Sequence, residues 1–341
     1  MVRAIPVMEA VGSVLCHDVT RIVPGGYKGP AFRKGHIIRE QDIPRLLEIG
    51  KEHIFVLDLE PGTVHEDDAA ERISRAAAGP GIRFTGVSEG KVSLVAEYSG
   101  LLKVECEGLL RINSVEGVAF GTLHSNQPVR VDSLVAGTRV IPLVIEEQRI
   151  KQVEQVCSEY YPIIQVKSFR PWKVGMVTTG SEVYHGRIAD RFGPVIRQKF
   201  AELGSEIIEQ VLVSDDPNLT AAAIRRLIAE GAEMVVATGG MSVDPDDQTP
   251  GSIRAAGGEV VVYGAPVYPG AMFMLAYIGT VPVLGLPGCV MYFRTTIFDV
   301  IVPRLLAGET VRRQDIVALG HGGFCVTCNE CRYPHCGFGK A

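Results

Sequence analysis

Strand-like and helix-like segments alternate regularly between residues 173 and 308, and this alternation limits the fold more than any other feature of the sequence. Residues 174–177 form an apolar run typical of a buried strand, and residues 191–203 place apolar side chains on one face of a helix. The pattern repeats with strands at 207–213 and 234–237. We therefore expect an α/β fold with a doubly wound, mostly parallel sheet, whose ligands bind at the carboxyl ends of its strands.

Other segments complete this predicted α/β region. Asp216 and Pro217 begin a second helix, because Asp is a common N-cap and Pro is favoured in the first helical turn. Residues 272–278 and 281–286 predict a hairpin, and residues 289–306 predict one final helix.

The rest of the chain changes character several times. Thr63 and Glu66 have the spacing of a capping box, which predicts a helix start. Short apolar segments separated by glycines then indicate a small strand-rich domain. The predicted regions are an N-terminal α/β region (1–80), the strand-rich domain (81–145), a connector (146–172), the α/β domain (173–308) and a cysteine-rich tail (309–341).

The composition is that of a globular protein and excludes some partners. Of the 341 residues, 46% are apolar and 21% are charged, which is enough apolar material for each domain to bury a core. The net charge of −5 is spread without long runs, which argues against nucleic acid and anionic membranes as partners. Glycines, prolines and charges interrupt the most apolar region, 272–302, so it does not predict a membrane-spanning helix. The first ten residues lack a signal-peptide pattern, so we expect a cytoplasmic protein.

Small and acidic residues follow the first three predicted strands of the α/β region. Parallel strands point the same way, so these three loops should meet at one edge of the sheet. Glycines allow close approach to a ligand, backbone N–H groups and hydroxyls can bind phosphate, and carboxylates can bind Mg²⁺. The loops contain Thr179, Gly180, Ser181, Glu182, Ser214, Asp215, Asp216, Gly239, Gly240, Met241, Ser242, Asp244 and Asp247.

The same residues have a simpler explanation, because Gly, Asp, Pro and Thr are also the common turn formers. For Ser214, Asp215 and Asp216 we prefer a helix cap. For residues 238–250, which contain a double glycine and three aspartates, we prefer a site for a phosphorylated ligand handled with a divalent cation.

Five motifs of this region occur in the order in which one known family carries them. The motifs are Thr179-Gly180-Ser181-Glu182, Ser214-Asp215-Asp216, residues 238–243 with Asp244 and Asp247, Tyr268-Pro269-Gly270-Ala271, and Leu286-Pro287-Gly288. Residues 174–306 therefore resemble the molybdopterin-binding domain that molybdenum insertases and molybdopterin adenylyltransferases share. Residues 31–57 are similar to a second region of the insertases.

This resemblance implies a ligand and a reaction. The family binds molybdopterin, a pterin with a dithiolene and one phosphate, or its adenylylated form. An insertase exchanges the nucleotide for molybdate, with Mg²⁺-dependent cleavage of the phosphoanhydride. Family members are oligomers, so a homo-oligomer is implied, and a molybdoenzyme or another cofactor-biosynthesis protein would be its partner.

The resemblance also implies residue roles. Asp244, Asp247 and Glu182 would be catalytic, and the two aspartates would bind Mg²⁺. The residues implied to bind the cofactor are Thr179, Gly180, Ser181, Asp216, Gly239, Gly240, Met241, Ser242, Pro269, Gly270, Pro287 and Gly288.

The sequence departs from the insertase pattern in several places. Ser181 replaces an aspartate, and residues 21–34 lack the insertase motif of the Ser-Ala-Met-Asp-Gly type. Residues 246–250, and Asp190 with the Phe192-Gly193-Pro194 that follows it, instead resemble adenylyltransferase motifs. We prefer an insertase, and an adenylyltransferase or a non-catalytic molybdopterin carrier or sensor remains open.

Four of the eight cysteines lie in the tail, as Cys325, Cys328, Cys331 and Cys336. Thiols this close in sequence predict one soft-metal site, either Zn²⁺ or an iron–sulfur cluster. A sulfur relay, a reversible disulfide and a zinc staple for the terminus are the alternatives. The other cysteines, Cys16, Cys106, Cys157 and Cys289, are expected to be buried thiols.

Overall fold

The structure is a computed structural model that describes residues 2–22, 28–57, 61–88, 90–242, 244 and 247–340. The chain divides into two compact units. The first comprises the described parts of Met1–Tyr98, Lys103–Leu123 and Arg130–Val166, and the second comprises those of Ser99–Leu102, His124–Val129 and Lys167–Ala341. The predicted domain boundaries remain predictions.

Short strands dominate the region that precedes residue 169. The strands are Val2–Pro6 (β1), Val19–Ile22 (β2), Lys28–Phe32 (β3), His53–Leu57 (β4), Thr63–His65 (β5), Ile82–Phe84 (β6), Lys91–Ala96 (β7), Gly100–Val104 (β8), Val118–Thr122 (β9), Pro128–Val129 (β10), Leu134–Val140 (β11), Val144–Glu146 (β12) and Ile164–Ser168 (β13). The helices are Ile43–Glu48 (α1), Glu66–Ala77 (α2), Cys106–Asn113 (α3) and Glu147–Glu159 (α4), with 3₁₀ turns at Val7–Glu9 and Glu40–Asp42.

An antiparallel sheet with the order β6-β7-β11-β9 organises the first unit. Helix α2 contacts β7 and β11 of this sheet, and it also packs against α4. Arg72 of α2 forms paired hydrogen bonds with Glu147 and Glu154 of α4, at donor–acceptor distances of 2.8–3.0 Å. These bonds fix the two helices against each other.

The start of α2 differs from the predicted capping box. Thr63 lies in β5, where it pairs with Glu146 of β12. The N-cap is His65, whose Nδ1 accepts a hydrogen bond from the backbone N–H of Asp67 at 3.1 Å. Strand pairing from distant residues therefore shifts the cap two positions along the chain.

The second unit contains the predicted α/β region. Its strands are Lys173–Thr179 (β14), Glu206–Val213 (β15), Met234–Thr238 (β16), Glu259–Tyr263 (β17), Met274–Ile278 (β18) and Val281–Leu286 (β19). Its helices are Ser181–Tyr184 (α5), Phe192–Glu202 (α6), Pro217–Ala229 (α7), Thr249–Ala255 (α8), Cys289–Tyr292 (α9), Ile297–Leu306 (α10) and Arg313–Val317 (α11), with a 3₁₀ turn at Ala318–Gly320.

One mixed sheet runs through this unit in the order β15-β14-β16-β19-β18-β17. The pairs β14–β15, β14–β16 and β16–β19 are parallel, and β18 pairs antiparallel with β19 and with β17. The predicted fold class, an α/β fold with a mostly parallel sheet, is therefore confirmed, and so is the hairpin.

Both faces of the sheet are buried, which explains its continuous apolar strands. Alternate residues along a strand face opposite sides, so Val174 and Met176 of β14 join the core beneath α6 and α10. Val177 and Val235 join the other core, beneath α7 and α8. Helices thus cover both faces of the sheet.

The predicted final helix over 289–306 is two helices. Thr296 interrupts it because its Oγ1 accepts a hydrogen bond from the N–H of Phe298 at 3.2 Å and so caps α10. Asp299 accepts a bond from the N–H of Thr296 at 2.7 Å and completes the cap.

None of the helices in the described part of the chain combines the length and the apolar character that crossing a bilayer requires.

Candidate functional site

A cavity of about 440 Å³ opens at the edge of the second unit's sheet where β16 and β19 end. Three segments predicted from the sequence meet there: the double-glycine loop, the proline-glycine turn and the turn before α9. The lining residues are Phe192, Gly239, Gly240, Met241, Ser242, Asp247, Gly270, Ala271, Met272, Pro287, Gly288 and Cys289.

The double-glycine loop passes directly over the end of β14. Gly239 and Gly240 have φ values of +85° and +54°, a conformation that glycine adopts without strain. Thr249 fixes this loop, because its hydroxyl donates to the carbonyl of Gly239 at 2.8 Å and its N–H donates to that of Gly240 at 3.1 Å.

Thr179 lies behind the loop and does not border the cavity. Its side chain is buried, and its hydroxyl is 3.3 Å from both the carbonyl oxygen of Thr238 and the hydroxyl of Thr249. Thr179 therefore supports the loop from below.

The next three predicted residues also stand away from the cavity lining. Gly180 precedes α5, which Ser181 begins, and the side chain of Glu182 is exposed. The N–H of Ser181 donates to Oδ2 of Asp215 at 2.9 Å, which ties the loop after β14 to the loop after β15. This role of Asp215 was not predicted individually, because it depends on the pairing of two strands.

Asp216 is a helix cap in the structure. Its Oδ1 accepts hydrogen bonds from the N–H groups of Asn218 at 2.7 Å and Leu219 at 3.4 Å, at the start of α7. Asp216 does not line the cavity. The turn-chemistry interpretation thus accounts for its position.

Asp244 and Asp247 are linked by two hydrogen bonds within one tight turn. The N–H of Asp244 donates to Oδ2 of Asp247 at 3.1 Å, and the N–H of Asp247 donates to the carbonyl of Asp244 at 2.9 Å. Asp247 borders the cavity and Asp244 is exposed. Residues 243, 245 and 246 of the same predicted motif lie outside the described residues.

The carboxylates of the described residues do not form a complete Mg²⁺ site. These residues contain no group of three or more His, Cys, Asp or Glu side chains that could hold a metal by itself. Mg²⁺ commonly binds through one or two carboxylates together with substrate phosphates. Asp247 therefore fits an ion shared with a bound phosphate, and it does not fit a cage made of protein groups alone.

The proline-glycine turn is pressed against the last long helix. A Cβ on Gly270 would lie 2.6 Å from Cγ2 of Ile297, so only glycine allows this approach. The N–H of Ile297 donates to the carbonyl of Pro269 at 3.3 Å. Helix α10 thus determines where this wall of the cavity lies.

The cavity lining also contains four residues that were not predicted to bind the ligand: Phe192, Ala271, Met272 and Cys289. Asp190 positions Phe192 at the start of α6 by accepting its N–H at 2.8 Å. Cys289 directly follows Pro287-Gly288, and this adjacency could have revealed it. It is half-buried, and burial raises the pKa of its thiol, so Cys289 is a neutral thiol near pH 7.

The expectation of buried thiols outside the tail is therefore wrong for two residues. Cys289 borders the cavity and Cys106 is exposed, whereas Cys16 and Cys157 are buried as expected. Both exceptions are the first residue of a short helix.

The four thiols of the tail do not converge. Cys328 and Cys331 are exposed, and Cys325 and Cys336 are partly buried against the core of the second unit. Among the residues described, no three potential ligands gather at a metal distance, so the thiols as arranged do not fit a metal centre. The tail is nevertheless anchored, since Phe338 is buried and Tyr333 donates to the carbonyl of Asp299 at 2.9 Å. The metal site at these cysteines remains a prediction.

Two family models match this chain. Residues 175–307 match the family described as a probable molybdopterin binding domain, and residues 4–58 match a domain of unknown function.

Relatives with curated sequences align to a short part of the chain. A CinA-like protein from Mycobacterium sp. (strain MCS) is 37% identical over 91 residues, which are 26% of this chain and 22% of that protein. A CinA-like protein from Mycobacterium tuberculosis (strain ATCC 25618 / H37Rv) is 36% identical over 77 residues, which are 23% of this chain and 18% of that protein. The alignments thus span about a fifth of the length of these relatives.

Solved structures of other proteins align at low identity. MoaB from Pyrococcus furiosus, a tungsten cofactor synthesizing protein, is 22% identical, with a TM-score of 0.34, over 42% of this chain and 98% of that chain. The molybdopterin biosynthesis MoeA protein from Pyrococcus horikosii is 17% identical, with a TM-score of 0.33, over 90% of this chain and 75% of that chain. The family model, which covers the sheet and its cavity, carries the assignment. It identifies residues 175–307 of this chain as a probable molybdopterin-binding domain.

Proposed function

We propose that the cavity binds molybdopterin or its adenylylated form and that the protein inserts molybdate during molybdenum cofactor biosynthesis. The observation that carries this proposal is the meeting of Gly239-Gly240, Gly270 and Pro287-Gly288 around one cavity in a domain of the molybdopterin-binding family. A volume of about 440 Å³ is in the range of ordinary small-molecule sites.

The phosphate of the ligand would bind to the double-glycine loop. In a trans peptide the C=O and N–H groups point in opposite directions. The carbonyls of Gly239 and Gly240 both point toward Thr249, so the N–H groups of Gly240 and Met241 point away from it. We assign these two N–H groups, with the hydroxyl of Ser242, as phosphate donors.

Asp247 would hold Mg²⁺ between the protein and the phosphate, with Asp244 as its support. Such an ion offsets charge on the phosphates and on a leaving nucleotide. The turn in which the two aspartates bind each other keeps the Asp247 carboxylate at the cavity.

The flat pterin ring would contact the less polar wall. Phe192, Met272 and Pro287 are among the lining residues of the cavity, and their aromatic or apolar surfaces suit a planar ring system. Molybdate is then the second substrate, and adenylylated molybdopterin would lose AMP when its phosphoanhydride is cleaved.

The arrangement also favours a second candidate, a molybdopterin carrier without turnover. Of the three acidic residues predicted to be catalytic, only Asp247 borders the cavity. Ser181 stands where insertases have an aspartate, and its N–H is already bound by Asp215. A protein with these features would bind the ligand and leave the chemistry to a partner.

One experiment separates these functions. The purified protein is incubated with adenylylated molybdopterin, molybdate and Mg²⁺, and AMP release is followed. A parallel incubation contains molybdopterin and Mg-ATP, and adenylylated product is measured. AMP release that requires molybdate supports the insertase, whereas adenylylation indicates the adenylyltransferase. Saturable binding without either product indicates the carrier, and an absence of binding contradicts the proposal as a whole.

A further inference from the structure

Residues 322–340 of the cysteine-rich tail form a loop whose two ends meet through backbone contacts. The N–H of Gly339 donates to the carbonyl of Gly322 at 3.0 Å, and a Cβ on Gly322 would lie 2.5 Å from the carbonyl oxygen of Lys340. Two aromatic residues of the loop attach it to α10. The side chain of Phe338 is 4% exposed. The ring of Tyr333 packs edge-on against the ring of Phe338, with centroids 6.2 Å apart.

One side of this loop pairs with the segment that forms the proline-glycine wall of the cavity. The N–H of Cys325 donates to the carbonyl of Tyr268 at 2.8 Å, and the N–H of Tyr268 donates to the carbonyl of Gly323 at 2.7 Å. Tyr268 immediately precedes Pro269-Gly270. Two backbone hydrogen bonds therefore connect the tail to the turn that carries Gly270.

A third contact reaches the start of α10. The Sγ of Cys331 lies 3.2 Å from Oγ1 of Thr295, which is buried and adjacent to the N-cap residue Thr296. Ile297, the first residue of α10, packs on Gly270. The tail therefore contacts both the segment that carries this wall of the cavity and the start of the helix against which the wall packs.

We propose that the tail is a positioning element of the ligand cavity, which holds the Pro269-Gly270 wall in place through Tyr268 and α10. Cys331 is one of its positioning residues. The identity of the ligand rests on the proposed function, but the position of the wall does not.

The test compares a variant that loosens the tail with a matched control variant that leaves the tail intact. Phe338→Ala removes the aromatic anchor of the tail. Ile224→Ala removes a fully buried side chain of α7, which packs on the opposite face of the sheet. Large-to-small changes at both sites are destabilising, so thermal unfolding shows whether the two variants fold and how closely their stability losses match. Tyr333→Phe is a milder second variant that removes only the hydrogen bond to Asp299.

Cys289 reports on the cavity in the absence of any ligand. Its rate of alkylation by N-ethylmaleimide is followed by peptide mass spectrometry in the unliganded full-length protein. We expect Phe338→Ala to accelerate alkylation of Cys289 about tenfold, because an open wall exposes the thiol and favours its thiolate. Ile224→Ala should leave the rate within about twofold of the wild type, since its effect on stability does not reach this wall.

Equal acceleration in the two variants, or none in Phe338→Ala and Tyr333→Phe, would show that the tail has only a general structural role. Cys331 gives an independent readout. Cys331→Ala should accelerate alkylation of Cys289, and Cys331→Ser should restore the slow rate because its hydroxyl can bind Thr295.

The molybdopterin affinity of the same variants is then measured. We expect it to fall about tenfold in Phe338→Ala, a loss of about 1.4 kcal/mol. If the wild type does not bind molybdopterin, the proposed function fails, and the alkylation rates still decide whether the tail positions the wall.

Discussion

The carbonyl oxygen of Thr179 lies so close to Gly239 that a Cβ added to residue 239 would approach it to 2.2 Å. This relationship joins the end of β14 to the loop after β16 and leaves no room for a side chain at residue 239, where the backbone curves with a φ of +85°. The proposed function depends on that curvature, because it directs the N–H groups of the loop.

The first prediction concerns this contact. Gly239→Ala should destabilise the second unit by about 2 kcal/mol and weaken molybdopterin binding at least about tenfold, because it adds a steric clash to a positive φ. Gly231→Ala is the matched control, since Gly231 has a φ of +97° and a Cβ added there would meet no other atom within 4 Å. Urea unfolding and ligand titration of both variants check this. Similar affinities in the two variants would contradict a role for the close approach.

The second prediction concerns Mg²⁺. Chelation of Mg²⁺ should weaken molybdopterin binding to the wild type by about tenfold, and Asp247→Asn should bind weakly with or without the ion, because the carboxylate that holds it is gone. Glu206→Gln removes an exposed acid at the opposite end of the sheet and should behave like the wild type. The measurement is ligand titration in Mg²⁺ and in chelator, and persistent Mg²⁺ dependence in Asp247→Asn would be evidence against this ligand assignment.

The third prediction separates the two interpretations of Asp216. As the N-cap of α7, its replacement by Ala should lower the free energy of unfolding by about 1 kcal/mol, while Asn, an equally good cap, should restore it. Affinity for molybdopterin should be the same in Asp216→Asn and the wild type. A loss of molybdopterin affinity in a stable Asp216→Asn variant would show that the Asp216 carboxylate takes part in binding.

The fourth prediction is a pH dependence in the first unit. The hydrogen bonds from Arg72 hold the pKa of Glu147 below its ordinary value of 4.5. A carboxyl pKa that is lower in the folded state contributes stability above the ordinary value, and this contribution disappears as the pH falls through the folded value. Arg72→Met should therefore cost about 1 kcal/mol near pH 7 and progressively less below pH 4.5.

Arg75→Met is the control for this prediction, because Arg75 lies on the same helix and its side chain is 74% exposed. It should change stability little at any pH. Urea unfolding at a series of pH values gives the comparison. A cost for Arg72→Met that persists unchanged at the lowest pH would rule out the Glu147 contribution.

The sheet could be predicted because a strand that is buried on both faces has a continuous run of apolar residues in its sequence. Val174 and Val177 belong to opposite cores, so apolar residues run continuously through β14 and mark it as an interior strand. The sheet order brings the ends of β14, β16 and β19 together, and this was predictable from parallel topology.

Other features depend on contacts between residues far apart in sequence. The bond between Ser181 and Asp215, 34 residues apart, arises from the pairing of β14 with β15. Thr63 has ideal capping chemistry but is used in a strand with β12. Phe192 becomes a lining residue because α6 packs near the turn that carries Gly288, although the two residues lie far apart in sequence. Local spacing therefore predicted the elements, while tertiary pairing decided which side chains reach the cavity.

Isothermal titration of molybdopterin into the wild type and Gly239→Ala, both in Mg²⁺, tests the central proposal most directly. We expect saturable binding at one site per chain in the wild type and affinity at least about tenfold lower in Gly239→Ala. Absence of binding to the wild type, or equal affinity in a folded Gly239→Ala, would contradict it.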